Sequence, residues 1–435
     1  MTAPRSPRAL ARRVFARVDR EGAWATLALA GELEHSGLDL RDRRLATELV
    51  YGTLRHQRRL ERALAAYANL KRAREPVRDA LLIAAYQLLF LRVPAHAAVD
   101  DAVEAVRPVF GAKVAGFVNA VLRKLAQRGE PALPTELRAR LPVEHSLAPW
   151  IIDELAAQLP ADELAAAAAA LKDQAPLWIR VNPRRATRDE VVAALTAEGA
   201  GAVPSPLAPQ ALAVDGLGDP ASSPSFRAGL WTVQDLGAQL VGELARPATG
   251  ATVLDACAGV GGKTTHLAEL ADGARIDAVD PQASKLALLV RSAARLGLTG
   301  ITTHAGPLAK LGGDRRYQLV VVDAPCTGAG VLRRHPEAAN RLRPDDVGAL
   351  TALQAELLDE AATRVGLGGT LVYAVCTITA AEGPGQIAAF LARHADFAQA
   401  PAALPAEVVD GGALRTWPHR HGADGFYAAR LVRAR

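Results

Sequence analysis

Two thiols and an acid at the ends of apolar segments are the residues of this chain best suited to covalent chemistry. Val321-Val-Asp323-Ala-Pro325-Cys326 closes one such segment and Tyr373-Ala-Val-Cys376 closes another. A thiolate that adds to carbon 6 of a cytosine makes carbon 5, otherwise a poor nucleophile, enamine-like and able to take a methyl group from a sulfonium. An acid that donates a hydrogen bond toward ring nitrogen 3 favours that adduct, and Asp323 lies three residues from Cys326. A base must then remove the carbon 5 proton so that the thiol can leave. The residues alone leave open which of Cys326 and Cys376 is the nucleophile, since nothing local fixes either pKa. Cys257 is read as a small buried hydrophobe. Three such widely spaced cysteines form neither a disulfide framework nor a zinc site, so free thiols and no metal are expected.

A second group of residues could hold a cofactor. Asp255-Ala256-Cys257-Ala258-Gly259-Val-Gly261-Gly262-Lys263-Thr264 follows an apolar segment and opens a helical one. Glycines there permit a tight turn and close approach of a ligand, and the helix offers free N–H groups. A phosphate loop of the Walker type needs a glycine where Cys257 stands, and a dinucleotide fingerprint needs one at Thr264. Asp280, about twenty residues beyond the glycines, can accept from both ribose hydroxyls of an adenosine cofactor. Asp255 either receives donors from the glycine turn or faces a cofactor ammonium.

These residues need a scaffold, and the rhythm of the chain supplies one. From Thr249 on, strands of continuous apolar character (ATVLDACAG, ARIDAVD, GITTHAG, YQLVVVDAP, GTLVYAVCT) alternate with helical stretches. That pattern predicts a mainly parallel sheet covered on both faces, with ligands beyond the carboxyl ends of its strands. Residues 1–130 read as helical throughout, with Pro94 and Pro108 where helices end or begin. Residues 131–230 read as a helical connector followed by a small α+β unit. In that unit LWIRV is a strand, Thr187 and Glu190 form a capping box, and the stretch from Gly199 to Ser225 holds one weak strand. Residues 231–435 form the Rossmann-like domain.

Composition limits the setting. The net charge of +5 over 435 residues is carried by the first third, where residues 1–130 hold 23 Lys and Arg against 14 Asp and Glu. The stretch Arg41 to Arg74, including Arg58, Arg59 and Arg62, would attract a polyanion such as RNA through its phosphates. No segment has the length and apolarity of a signal peptide core or a membrane span, so a cytoplasmic protein without membrane contact is expected.

The motifs resemble a known family. Residues 230–435 are similar to RNA 5-methylcytosine methyltransferases through WTVQDLGAQL, VLDACAGVGGKTTH, DAPCTGAGVLRRHPE, LVYAVCTITAAEG and PHRHGADGFYAARL. Residues 1–130 resemble the helical domain of the antitermination factor NusB through DRRLATELVYGTLR, AAYQLLFLRVPAHAAVDDAV and GFVNAVLRKL. The fusion of the two resembles the RsmB (Sun/Fmu) branch, which modifies small-subunit ribosomal RNA. The resemblance implies an all-α NusB-like bundle, a small α+β RNA-binding unit and a class I S-adenosylmethionine methyltransferase domain.

It further implies Cys376 as nucleophile, Cys326 in product release, Asp323 against the base, and Lys263 near the carboxylate of S-adenosyl-L-methionine. Arg180 and Asn182 in WIRVNPRR, together with Lys263, Arg333, Arg334 and His335, would lie toward the RNA. Departures from the family pattern are Gly259-Val260 for Ala-Pro, His304 near the place of an acid facing the cofactor, Val375-Cys376-Thr377 for Thr-Cys-Ser, and Glu382-Gly383 for Glu-Asn. The resulting expectation is methylation of carbon 5 of a specific cytosine in 16S ribosomal RNA by a monomer. The alternatives are the same chemistry on transfer RNA or another ribosomal site, and a non-catalytic RNA-binding assembly factor. A DNA cytosine methyltransferase would use Pro325-Cys326 but leaves Cys376 and the basic helical region without a role.

Overall fold

The computed structural model describes residues 6–434. The chain up to Asp173 together with Leu332–Leu342 forms one unit, and Gln174–Val331 with Arg343–Arg435 forms the other. The expected connector after residue 130 therefore groups with the first unit, and the small α+β region with the second.

The first unit is helical. Its main helices are Pro7–Glu21, Ala25–Glu34, Leu40–Arg55, Gln57–Ala65, Glu75–Phe90 and Ala95–Arg128, followed by three shorter ones between Leu137 and Ala170. Apolar residues at three- and four-residue spacing, among them Leu10, Val14, Leu49, Leu81, Leu82 and Leu122, are buried in one core. Gly52 lets two helices meet, since a Cβ there would lie 2.0 Å from the Tyr86 ring. Pro94 caps the last long helix as expected, but Pro108 lies inside it, and the backbone breaks three residues later at Gly111 (φ 78°, ψ 177°). Glycine reaches that conformation without steric cost. By length and composition Ala95–Arg128 could cross a membrane, yet this break divides it.

Leu332–Leu342, which follows the Cys326 loop in sequence, supplies caps that neighbouring helices lack. Helix Ala25–Glu34 has no side-chain N-cap of its own, and its Ala25 N–H donates to Glu337 Oε1 at 3.0 Å. Arg341 donates to the carbonyls of Gly22 (3.0 Å) and Ala23 (2.8 Å), and to that of Val18, at the end of Pro7–Glu21. Helix ends leave such groups without intrahelical partners, so a distant segment can bind by completing them.

In the second unit, β1 (Leu177–Val181), β2 (Gly201–Pro204), β3 (Ala211–Asp215) and β4 (Trp231–Val233) form an antiparallel sheet in the order β2-β3-β1-β4. The capping box of Thr187 and Glu190 opens helix Arg188–Ala197. Two strands, β2 and β3, stand where one weak strand was expected, because they pair with each other and so sustain short, partly exposed segments.

The larger sheet contains β5 (Thr252–Asp255), β6 (Arg275–Asp280), β7 (Ile301–Ala305), β8 (Tyr317–Asp323) and β9 (Val365–Val375), all parallel. It continues through β10 (Phe397–Ala400), β11 (Val409–Asp410), β12 (Ala413–Thr416) and β13 (Phe426–Arg433). The order is β11-β12-β13-β9-β8-β5-β6-β7, with β13 antiparallel to β9 and β10 paired to β13. The chain order reverses at β5, between β6 and β8. In an open α/β sheet the ligand crevice lies at such a switch point, beyond the carboxyl ends of the strands.

Candidate active site

Asp255 ends β5, Asp280 ends β6, Asp323 ends β8, and Cys376 follows β9. Register places Asp255 opposite Val321 and Asp323 opposite Ala374, so the acids and thiols gather at one rim of the sheet.

The cofactor loop is built around its glycines. Gly261 has φ 87° and caps helix Gly262–Leu270; a Cβ there would strike the Leu289 side chain at 2.4 Å. Gly259 has φ 55° and open space where a Cβ would stand, which leaves room for a ligand against the backbone. Asp280 shapes the loop, accepting from Gly259 N at 3.0 Å with one oxygen and from Gln282 N at 2.8 Å with the other. Each oxygen keeps a lone pair for a further donor. Asp255 is 1% exposed. Its Oδ2 accepts from the Thr264 hydroxyl at 2.6 Å, while Oδ1 is buried without a hydrogen bond of good geometry. Burial raises its carboxyl to about 6. A buried acceptor without a well-aligned donor beside an open glycine turn suits the ammonium and ribose of an adenosyl amino acid. Ala256, Cys257 and Ala258 line the turn from the core side, and burial pushes the Cys257 thiol up, the behaviour of an inert packed cysteine.

The chemical groups lie beside this loop. Lys263 Nζ is 2.6 Å from Asp323 Oδ2. Burial opposes the lysine charge, but Asp323 overcomes that effect, assisted by Cys376 and Asp255, and holds the pKa above the ordinary lysine range. Lys263, expected at the cofactor carboxylate, is thus paired with the acid of the Cys326 motif. The Cys326 and Cys376 sulfurs are 3.4 Å apart. Cys326 is pushed well up, first by its hydrogen bond to Cys376, then by burial, by the charge of Cys376 and by Glu382. Cys376 acts on the charge of Lys263, and the charge of Glu382 acts on Cys326.

Glu382 is 0% exposed and touches the residues following both cysteines, Thr327 and Thr377. In the sequence it stands only as a letter of the Glu382-Gly383 motif position. Its burial could be suspected from the apolar residues around it, but its partners could not. Close approach also ties the rim to the C-terminal motif: Gly425 N donates to Gly330 O at 2.9 Å, Gly330 N donates to Cys376 O at 3.1 Å, and a Cβ on Gly330 would lie 2.0 Å from Gly425 O. His304 bonds Asp277 at 2.8 Å, and the same acid accepts from Tyr317.

Several residues expected to meet RNA are placed elsewhere. Arg180 is 0% exposed. It forms a bidentate pair with Glu269 (2.7 and 2.9 Å) and donates to Gly262 O (3.0 Å), Thr265 (3.1 Å) and Gln234. It is a strut between β1 and the cofactor helix, because a guanidinium this deep needs a carboxylate and several acceptors. Asn182 is equally buried, donating to the carbonyls of Gly229 and Leu296. Arg59 is neutralised by Glu130, and Arg62 donates to the carbonyls of Pro131 and Ala132. Arg58 is partly buried and also has partners within the protein. Arg333 is buried, and both it and Arg334 are engaged within the protein. His335 packs edge-on to Trp24 at 5.1 Å. Of the expected RNA contacts, Arg62 is half-buried and has no carboxylate partner among the described residues, while Arg180, Asn182 and Arg333 are withdrawn from the surface.

A reversed parallel sheet with an antiparallel strand beside β9, a glycine turn after β5 and acids at the ends of β5 and β6 defines a Rossmann-like methyltransferase. Residues 243–432 match the family "16S rRNA methyltransferase RsmB/F", residues 5–127 the NusB family, and residues 148–219 the ferredoxin-like domain of RsmF/B-like methyltransferases. The chain is 38% identical over 433 residues to "Ribosomal RNA small subunit methyltransferase B" of Xylella fastidiosa, covering 98% of this chain and 99% of that protein. It is 33% identical over 445 residues to "Probable ribosomal RNA small subunit methyltransferase B" of Synechocystis, covering 99% and 100%. The crystal structure of PH0851 superimposes with a TM-score of 0.84 at 26% identity, covering 99% of both chains. The chain belongs to the ribosomal RNA small subunit methyltransferase B family.

Proposed function

We propose that this protein methylates carbon 5 of a cytosine in 16S ribosomal RNA, with S-adenosyl-L-methionine as donor and Cys376 as nucleophile. The observation that carries the reading is the pair of sulfurs 3.4 Å apart at the strand ends, beside the Lys263–Asp323 pair. The Cys326 thiol is pushed well up, first by its hydrogen bond to Cys376 and then by burial. A bound cofactor supplies an electrophilic methyl group. Asp280 would accept from its ribose, Asp255 Oδ1 from its ammonium, and the turn from Ala256 to Gly262 would cover it.

Cys376 Sγ bonds to carbon 6 of the base, and the displaced electron pair moves toward nitrogen 3, where the Lys263–Asp323 pair can deliver a proton or a hydrogen bond. Carbon 5, made nucleophilic by the adduct, would then take the methyl group that S-adenosyl-L-methionine held by the Ala256–Gly262 turn would supply. Release requires loss of the carbon 5 proton, re-formation of the ring double bond and departure of the Cys376 sulfur. The bond that forms at Cys376 removes the largest influence raising Cys326, its hydrogen bond to that thiol. Cys326 thus becomes easier to ionise once the adduct exists, which is when a base is needed.

Incubation with labelled S-adenosylmethionine and 16S ribosomal RNA transcribed without modifications tests the reading, with bisulfite mapping of the product. Incorporation at one cytosine is expected. Tight RNA binding with no incorporation would replace it with an assembly factor, and incorporation confined to transfer RNA would change the substrate.

A further inference from the structure

We propose that Glu382 is the positioning residue that sets the distance between the two thiols. The inference rests on the reading of Cys376 and Cys326 as a nucleophile and release pair.

The carboxylate is enclosed by donors from three places. Oε1 accepts from the Thr327 backbone N–H at 2.8 Å and from Gln354 Nε2 at 3.1 Å. Oε2 accepts from the hydroxyls of Thr327 (2.6 Å), Thr379 (2.7 Å) and Thr377 (3.1 Å). Thr327 is the neighbour of Cys326 and Thr377 the neighbour of Cys376, and their hydroxyls meet at 2.8 Å. Gln354 also donates to Pro325 O at 2.9 Å, on the other side of Cys326. The Glu382 carbonyl accepts from Tyr373 Oη at 2.7 Å, which anchors the residue to β9.

A carboxylate is acceptor only, so these donors suit its ionised form. An amide in its place turns an NH2 toward groups that are themselves donors. Burying a charged carboxylate is costly unless hydrogen bonds satisfy it. Here the satisfying bonds all come from the two thiol-bearing loops and the helix beneath them. The loops belong to different strands, β8 and β9, and strand pairing stops before the cysteines, at Asp323 opposite Ala374. Beyond that point Glu382 bonds to both loops at once, beside the Thr327–Thr377 hydroxyl contact and the Gly330 N to Cys376 O bond.

The test measures the thiol separation without using methyl transfer. Full-length protein is treated with the thiol oxidant diamide, which takes up two hydrogens as the two sulfurs join, and the Cys326–Cys376 cross-linked peptide is timed by mass spectrometry. In parallel, kcat, cofactor Kd and covalent RNA adduct are measured for wild type, Glu382→Gln and Thr327→Val. Wild type is expected to form the cross-link readily. Glu382→Gln should form it about tenfold or more slowly, the scale of one lost hydrogen bond to a charged group. Its kcat should fall by a similar factor with cofactor Kd nearly unchanged, and adduct should accumulate because Cys326 no longer reaches the carbon 5 proton.

Thr327→Val keeps the backbone donor and should show the same changes in smaller measure, which serves if Glu382→Gln does not fold. Wild-type cross-linking and kcat in both folded variants would overturn the proposal, as would a wild-type pair that does not cross-link. Slowed cross-linking in a protein that methylates no RNA would keep the positioning role and remove the proposed reaction instead.

Discussion

Removing one partner of the Arg180–Glu269 pair should destabilise the catalytic unit rather than weaken RNA binding. The two side chains are 0% and 1% exposed, joined by bonds of 2.7 and 2.9 Å. Glu269→Leu leaves a guanidinium in the interior with only Gln234, Gly262 O and Thr265 as acceptors. Breaking such a pair from one side costs about 3–5 kcal/mol, because the remaining charge is uncompensated. For a unit of this size each kcal/mol lowers the melting temperature by about 2–4 °C, so a fall of roughly 6–20 °C is expected. The double variant Arg180→Met with Glu269→Leu removes both charges and should recover most of the loss. Gly262 O keeps Gln234 Nε2 as a donor at 3.2 Å, so little is left unsatisfied. Thermal unfolding by circular dichroism measures the first effect, and filter binding to 16S ribosomal RNA, at temperatures where each variant is folded, measures the second. If Arg180→Met melts like wild type and binds RNA more weakly, the guanidinium faces the nucleic acid and the reasoning fails.

Three further outcomes follow from the same geometry. Cys376→Ala should abolish turnover, while Cys326→Ala should allow attack and accumulate a protein–RNA adduct on a denaturing gel; an adduct in the Cys376 variant would reverse the roles. Asp255 is raised to about 6 by burial, above an unfolded value of about 3.9, so its contribution to stability is full below that value and is lost as pH rises through about 6. An ammonium on Oδ1 offsets the loss, so cofactor affinity measured by calorimetry should rise from pH 5 to 7, and an equal rise in Asp255→Asn would refute that contact. Glu337→Ala and Arg341→Ala should each destabilise the helical unit by about 0.5–2 kcal/mol, the worth of a helix cap. Amide exchange should quicken at the start of Ala25–Glu34 for Glu337→Ala and at the end of Pro7–Glu21 for Arg341→Ala, and unchanged protection would show that the segment merely rests there.

Much of the scaffold was legible because its signals are local. Continuous apolar strands alternating with amphipathic helices specified the parallel sheet, and the capping box at Thr187 and Glu190 formed as written. The rim location of Asp255, Asp280, Asp323, Cys326 and Cys376 followed, since each closes or follows a strand. Less local features were misread. The helix end expected at Pro108 falls three residues later, at Gly111, where a positive φ cannot continue the helix. Arg180 and Asn182, in a basic motif, looked like surface residues, yet their partners Glu269 and Leu296 are 89 and 114 residues away.

The sequence by itself determined which side chains reach the catalytic rim, because strand ends and glycine turns are set by neighbouring residues. Tertiary structure alone decided how those side chains differ. The Cys326 thiol is pushed well up by Cys376, by burial and by Glu382, and these two residues lie 50 and more positions away in sequence. Arginines of equal charge become a buried strut, a helix cap or a half-buried cation according to what the folded chain brings beside them. Electrostatic character depends on distance and burial, and both arise only when segments remote in sequence are packed together.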